Sequence, residues 1–237
     1  MGLFCAAFGI ALLYLWINFR VAASNGSTSR TSGLTSQSAL ATKLGIQVSP
    51  TVLKLATGAV AAFGALFVAF VFYGQWDTYL RFRYGGSFGL SDPLFGTDAG
   101  FYVFRLPFYE LLQDSLISLA LVTLVAVVVL YAYFGLLRFS RSSQIDNWSA
   151  KAAPHVSILF FVLIASWGWG FYLDHFELLY STQGVVYGAG YTADHVTRIA
   201  YWIMIGAAAA LCALLVLNIF RPRFRAVATG SGIYGGL

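Results

Sequence analysis

Charged residues are scarce in this chain. They make up 10% of its 237 residues, whereas soluble domains carry about 25%. Hydrophobic residues reach 59% of the composition, and they are gathered in long runs. The composition therefore excludes an ordinary soluble domain and indicates a membrane protein.

Cysteine and the familiar catalytic motifs are scarce or missing too. Cys5 and Cys212 both lie in apolar runs, so we expect neither a disulfide nor a zinc site from them. The basic residues do not alternate with aromatics on an exposed face, which argues against a nucleic acid partner. There is no nucleophile elbow, Walker loop or HExxH motif, and the Gly184–Gly190 stretch lacks the Lys-Ser/Thr ending of a phosphate loop. The sequence indicates no cofactor and leans against an enzyme.

Apolar segments of membrane-spanning length are what the chain has in abundance. Five of them approach or exceed the roughly 20 residues that a helix needs to cross a bilayer. Pro50, Pro107 and Pro154 stand where three of them begin, and Arg221-Pro222 follows the last. The pattern predicts an all-α polytopic transmembrane helix bundle forming one module over residues 1–237. The predicted spans are residues 2–19, 51–73, 108–137, 155–173 and 199–220.

The loops between these spans differ sharply in charge. Those at 20–50, 138–154 and 221–230 share one side and, with the adjoining helix ends, carry ten Lys/Arg and one carboxylate. Those at 74–107 and 174–198 share the other, which carries four Lys/Arg and eight carboxylates with its helix ends. The Lys/Arg bias places the first set in the cytoplasm. We therefore expect a plasma-membrane protein, with the lipid bilayer as partner and the N-terminus outside.

Two stretches carry expectations about the chain as a whole. Residues 22–49 are rich in Ser, Thr and Gly, a composition typical of a flexible linker. Residues 231–237 read as the opening of another apolar run, so we expect the chain to be part of a longer protein.

The first outer loop contains recognisable local signals. Trp76, Leu80 and Arg83 are spaced as one helical face, which predicts that the second helix continues beyond the bilayer until Gly85-Gly86. Asp92-Pro93 and Gly96-Thr97-Asp98 each favour a turn. The nearly continuous apolar run at 101–108 predicts a short interfacial helix or strand.

Acidic and histidine side chains in the outer loops are candidate metal ligands. Two carboxylates in the first loop offer oxygen atoms to a cation, and two histidines with three carboxylates in the second offer a zinc site. The alternatives are turn and capping roles in the first loop and a solvated acidic surface in the second. His155 is interpreted as a helix-end residue. The metal candidates are Asp92, Asp98, Asp174, His175, Glu177, Asp194 and His195.

These loops contain two long motifs. The first is Asp92-Pro93-Leu94-Phe95-Gly96 with Asp98, 101–104 and 106–109, and the second comprises 177–181 and 184–192. Together they resemble the signature of uncharacterised protein family 0182, a family of large bacterial multi-pass membrane proteins. The resemblance implies an N-terminal membrane fragment, beginning inside the family's second helix, ending as its seventh begins, and preceding an extracytoplasmic domain. Two positions depart from the pattern: Ala193 replaces a usual Asp, and Arg198-Ile199 replaces Leu-Pro. The family brings no established activity.

Three functions are compatible with the sequence. The favoured one is a membrane-anchoring module that presents an extracytoplasmic region, because the helix interiors are neutral and the outer loops conspicuous. The second is part of a transporter or channel, for which the helices offer few polar groups beyond Ser118, Thr123, Ser157 and Ser166. The third is an outer-face metal-binding protein or enzyme.

Overall fold

Helices make up most of the chain. The computed structural model describes residues 1–31, 49–134, 136–139, 145–148, 152–180, 190 and 193–220. The α-helices are α1 (Gly2–Thr31), α2 (Pro50–Gly74), α3 (Trp76–Tyr84), α4 (Leu106–Tyr133), α5 (Ala152–Glu177) and α6 (Arg198–Phe220). A π-helical turn at Phe101–Arg105 leads into α4, a 3₁₀ turn at Leu178–Tyr180 follows α5, and a π turn at Ala193–Thr197 leads into α6.

Five helices in the described part of the chain are long and apolar enough to cross a membrane. The all-α fold class predicted from the sequence, with about five spans, is therefore confirmed. The apolar stretches are Gly2–Gly26, Thr51–Gly74, Phe101–Tyr133, Ala152–Glu177 and His195–Ile219.

Helix α1 extends further than the sequence pattern predicts. Residues 20–31 were expected to be loop, but they continue the helix to Thr31. Tertiary contacts explain the extension: Ala22 is fully buried, Asn25 donates to the hydroxyl of Tyr131, and Gly26 packs against the ring of Phe134. Such packing overrides the weak helix propensity of a Ser- and Gly-containing segment. Most of the expected linker, residues 32–48, lies outside the described residues.

A short β-hairpin lies in the predicted loop at 138–154. Strand β1 (Leu137–Phe139) pairs antiparallel with β2 (Ile145–Trp148), and a bulge lies between Arg138 and Phe139. The hairpin adds one small element to a helical protein and leaves its class unchanged.

The chain forms two compact units. The first comprises Met1–Phe72, Leu119–Phe161 and Leu214–Leu237. Its interior contains large apolar side chains such as Leu15 and Val127, a row of buried alanines on α2, and the ring of Tyr131. The alanines Ala61, Ala65 and Ala69 recur every four residues, so they line one helix face and permit close approach of a neighbour.

The second unit comprises Tyr73–Ser118 and Val162–Ala213. Tyr102, Leu106 and Leu173 are buried at the centre of its apolar core. We call these three, with the partly buried side chains packed on them, the aromatic cluster. Those further members are Phe95, Phe101, Tyr109, Trp169, Phe176 and Leu179.

Candidate functional site

The segment 85–100, which we call the Asp loop, connects α3 to the π turn before α4. Its two arms are paired by hydrogen bonds from the Asp92 N–H to the Thr97 carbonyl (2.9 Å) and from the Ala99 N–H to the Leu90 carbonyl (2.8 Å). Gly96 closes the turn by donating to the Asp92 carbonyl at 3.0 Å. Its φ of 67° lies in the left-handed region that favours glycine. The turn predicted at Asp92-Pro93 is confirmed, since residues 93–95 form it. The separate turn predicted at Gly96-Thr97-Asp98 is wrong, because Asp98 pairs with Ser91 in the opposite arm of the loop.

Asp92 organises the tip of the loop. Its carboxylate accepts from the N–H groups of Leu94 (2.8 Å), Phe95 (2.6 Å) and Thr97 (2.9 Å), and from the hydroxyl of Tyr102 (2.7 Å). Desolvation raises the pKa of Asp92, but these four hydrogen bonds together outweigh it and hold the pKa below its ordinary value. The ionised form is the one that the loop stabilises.

Asp98 organises the base of the loop in the same way. Its carboxylate accepts from the Ser87 hydroxyl (2.6 Å) and from the N–H groups of Phe88 (3.1 Å), Gly89 (2.9 Å) and Gly100 (2.7 Å). The Ser87 hydroxyl has the largest effect on the pKa of Asp98; with the three N–H groups, and against a smaller effect of desolvation, it lowers that pKa to about 2.

Both carboxylates have their acceptor sites occupied by donors of this chain, seven from the Asp loop and one from Tyr102. An ionised carboxylate offers about four lone-pair sites, and Asp92 and Asp98 each accept four internal hydrogen bonds. A cation bound here would have to displace several of these donors. The geometry thus gives both residues a loop-closing role, the alternative that the sequence left open for them.

Tyr102 connects the Asp loop to the aromatic cluster. Its hydroxyl donates to Asp92 while its ring is 95% buried, which is how tyrosine commonly joins a polar edge to an apolar core. Phe101 and Phe95 lie edge-on to Phe176 of α5, with ring centroids 5.1 and 5.4 Å away. These contacts hold the loop against the ends of α4 and α5.

Large apolar side chains are exposed along α3 and the Asp loop. Four of them are more than half exposed, with Tyr84 at 78% and Leu90 at 71%. The four are Trp76, Tyr84, Phe88 and Leu90.

His175 is buried among aromatic rings. Its ring centroid lies 4.4 Å from that of Phe95 and 5.8 Å from that of Trp202. Its Nδ1 atom is buried and has no hydrogen-bond partner in the described part of the chain. Arg198 lies near enough to interact with the ring electrostatically. This environment differs from the solvated loop that the sequence suggested for His175.

The other metal candidates of the second loop differ in exposure. Asp174 is half-buried, and Glu177 and His195 are exposed; Asp194 lies in the π turn before α6, and its side chain is not among those described. Among the described residues, no group of three or more His, Cys, Asp or Glu side chains is arranged to hold a metal ion. Metal binding by these residues stays a prediction. The reversal predicted at 184–190 lies, except for Gly190, outside the described residues.

Sequence reasoning missed Glu110 and Asp114 as members of a local group. Both lie on α4, and Glu110 interacts electrostatically with Asp114 and with Asp174 and Glu177 of α5. The available signal was their spacing, since residues four apart share a helix face. Four carboxyl groups near the N-terminal part of α4 and the end of α5 therefore lie within electrostatic range of Glu110 or are Glu110 itself.

Comparison with known proteins identifies the family. The model of an uncharacterised protein family, UPF0182, matches residues 1–236. A UPF0182 protein of Salinibacter ruber is 34% identical over 233 residues, which is 98% of this chain and 24% of the relative. One of Pelotomaculum thermopropionicum is 36% identical over 187 residues, 78% of this chain and 20% of the relative.

The match extends across bacterial groups at similar identity. A UPF0182 protein of a Synechococcus strain is 40% identical over 150 residues, covering 63% of this chain and 18% of the relative. The chain thus spans about a quarter or less of the length of the curated relatives it matches. No solved structure matches it. With its apolar helices, its Asp loop and a family match over almost its whole length, the chain belongs to the UPF0182 family.

Proposed function

We propose that this chain is a plasma-membrane anchoring module that presents an extracytoplasmic region of the same protein. In this proposal the N-terminus and the Asp loop face the outside, as the Lys/Arg bias of the loops favours. The lipid bilayer surrounds the apolar helices, and the downstream region docks on the Asp loop and α3.

One observation carries the proposal: the Asp loop is closely hydrogen-bonded and yet exposes apolar side chains. Six backbone N–H groups donate to Asp92 and Asp98, and Tyr102 joins the loop to the aromatic cluster. Large apolar side chains such as Tyr84 and Leu90 are nevertheless exposed. A preorganised apolar surface loses little entropy when a partner covers it.

The curated relatives are much longer than this chain, and the additional region is the proposed occupant of this surface. The Salinibacter ruber protein matches this chain over 24% of its own length, so most of that protein lies outside the matched segment. A membrane module whose fixed loop receives that remainder is consistent with the neutral interiors of the helices. Ionisable side chains, the usual mark of an ion pathway, are concentrated at the helix ends.

Cysteine accessibility tests the docking proposal. Tyr84→Cys and Leu90→Cys would be made in this chain with Cys5 and Cys212 replaced by Ser, and cysteines would be placed at the aligned positions of the complete Salinibacter ruber relative. We expect a membrane-impermeant maleimide to label the complete relative about tenfold more slowly, because the docked region covers the surface.

Two controls make the comparison specific. Val196→Cys, at an exposed position in the π turn before α6, reports on general accessibility, and labelling after denaturation reports the total thiol. Equal native labelling rates in the two proteins at both apolar positions would overturn the docking proposal.

A further inference from the structure

A hydrogen-bonded series of polar side chains joins three helices inside the first unit. The Asn25 amide of α1 donates to the Tyr131 hydroxyl of α4 (3.0 Å), and that hydroxyl lies 2.6 Å from Nδ1 of His155 on α5. The Nε2 atom of His155 lies 3.0 Å from Oδ1 of Asn18, whose Nδ2 donates to the Tyr14 carbonyl at 2.7 Å. We call this series the His155 relay.

The relay is buried within apolar surroundings. Tyr131 is fully buried and His155 is 8% exposed. His155 lies three residues after the start of α5, at the end of the apolar stretch Ala152–Glu177. This position is close to one end of the apolar stretch, where a membrane-spanning helix comes nearest to water.

The hydrogen-bond partners fix the direction of the relay. Because the Asn18 Nδ2 donates to a carbonyl, its Oδ1 faces His155 and can only accept. Nε2 of His155 must therefore carry a hydrogen, so in the neutral ring Nδ1 is the acceptor. The Tyr131 hydroxyl donates to it and accepts from Asn25.

The same partners can hold an additional proton. When hydronium gives a proton to Nδ1, a new N–H bond forms, water leaves, and no electrons are exchanged. The Tyr131 oxygen then accepts from Nδ1–H, its own O–H turns to Asn25, and the Asn25 amide rotates to offer Oδ1. Nε2–H keeps Asn18 as its acceptor. Both N–H groups of the imidazolium are thus hydrogen-bonded.

We propose that His155 is a proton-binding site inside the helix bundle, with Asn18 and Tyr131 as the acceptors of the imidazolium. The groups that meet His155 from α1 and α4 are neutral, and of these only Tyr131 is titratable. Within the described residues no charged side chain acts on His155. Proton binding therefore changes the charge of this part of the bundle by one unit.

The first experiment measures the protonation of His155 directly. The complete chain, labelled with ¹⁵N-histidine, would be placed in lipid nanodiscs, and the His155 signals would be assigned as those missing from His155→Gln. At pH 7.5 we expect a neutral ring with hydrogen on Nε2. Because burial opposes the charged form of the ring, we expect both nitrogens to be protonated only at about pH 4, with the helix content unchanged. A ring that stays neutral at pH 4, or is protonated only as the helices unfold, would refute the proposal.

The second experiment separates proton binding from a purely structural role. Tyr131→Phe keeps the ring but removes the acceptor of Nδ1–H, so we expect the equilibrium constant for proton binding to fall about tenfold, as for loss of a hydrogen bond to a charged group. Asn25→Ala should give a smaller decrease, because it removes only the acceptor of the Tyr131 hydroxyl.

Tyr133→Phe serves as the matched control, since this tyrosine lies on α4 outside the relay. Its proton-binding constant should equal that of the unmodified chain. If Tyr131→Phe also binds the proton with unchanged affinity while remaining folded, the relay does not hold the proton and the assignment is wrong.

Discussion

At the scale of single residues, the two aspartates of the Asp loop show how one residue type stabilises both the tip and the base of a loop. Asp92 accepts a hydrogen bond from the Tyr102 hydroxyl, which lies beyond the loop, whereas Asp98 accepts from residues of the loop such as Ser87. In both, hydrogen bonds to the ionised form lower the pKa. Loop structure therefore depends on the charge state of these side chains.

The pKa shift of Asp98 sets the pH range in which the loop weakens. A carboxyl whose pKa is lowered on folding stabilises the fold above its unfolded value of about 3.9. The Asp98 contribution is lost as the pH falls through its folded pKa of about 2. We expect amide hydrogen exchange in 87–100, corrected for intrinsic rates, to be constant from pH 7 to about pH 4 and to accelerate below it.

Asp98→Asn should mimic the acid form at neutral pH. The Asn side chain loses one acceptor oxygen and presents an NH₂ group to backbone N–H donors, so exchange in 87–100 should be about tenfold faster at pH 7. Exchange in α5 provides an internal reference. Unchanged protection of 87–100 in the variant would show that the loop does not depend on Asp98.

The local chemistry of the loop was predictable from the sequence, whereas the relay was not. Asp-Pro specifies a turn through contacts a few residues apart, and the structure has that turn at 93–95. The relay instead joins Asn18, Tyr131 and His155. Asn18 is more than a hundred residues away from His155 in the sequence, so the two meet only after the helices pack. His155 alone looks like a helix-end residue, and periodicity does not reveal its partners.

At the scale of elements, the end of α3 depends on Gly85. The helix ends at Tyr84, and the Gly85 N–H donates to the Arg81 carbonyl at 2.7 Å. A Cβ atom at Gly85 would collide with that carbonyl and with the ring of Phe104. Phe104 in turn stacks on Phe88 with a centroid distance of 5.5 Å.

Gly85→Ala is therefore expected to destabilise the second unit. Overpacking of this kind costs about 1–3 kcal/mol, which should lower the thermal unfolding midpoint in detergent by several degrees. Gly86→Ala is the matched control, because a Cβ there meets nothing within 4 Å. Equal midpoints for the two variants would contradict the steric explanation.

The helix ends also show which features the hydropathy pattern does not predict. Hydropathy places the apolar stretches well, because burial in lipid requires continuous apolar residues. It did not place the end of α1 at Thr31, because residues 20–31 are held by packing of Ala22 and by the Asn25–Tyr131 hydrogen bond. Tertiary contacts of that kind leave no periodic signal.

At the scale of the whole molecule, the orientation in the membrane is the main prediction. With Cys5 and Cys212 replaced by Ser, Leu90→Cys should react with an impermeant thiol reagent added outside intact cells. Ser142→Cys, in the basic loop, should react only after permeabilisation, because Lys/Arg-rich loops remain in the cytoplasm. The reverse labelling pattern would invert the proposed topology.

The π turn at Phe101–Arg105 has a consequence for how the family can vary in length. It runs without a break into α4, and its last N–H bond joins Leu106 to the Phe101 carbonyl. Each residue of an α-helix advances its side chain by about 100°. Deleting or inserting one residue between Tyr102 and Leu106 would therefore swing one of these two buried side chains away from Leu173. Changes of length are tolerated far better at exposed loop tips without such contacts than at the junction with α4.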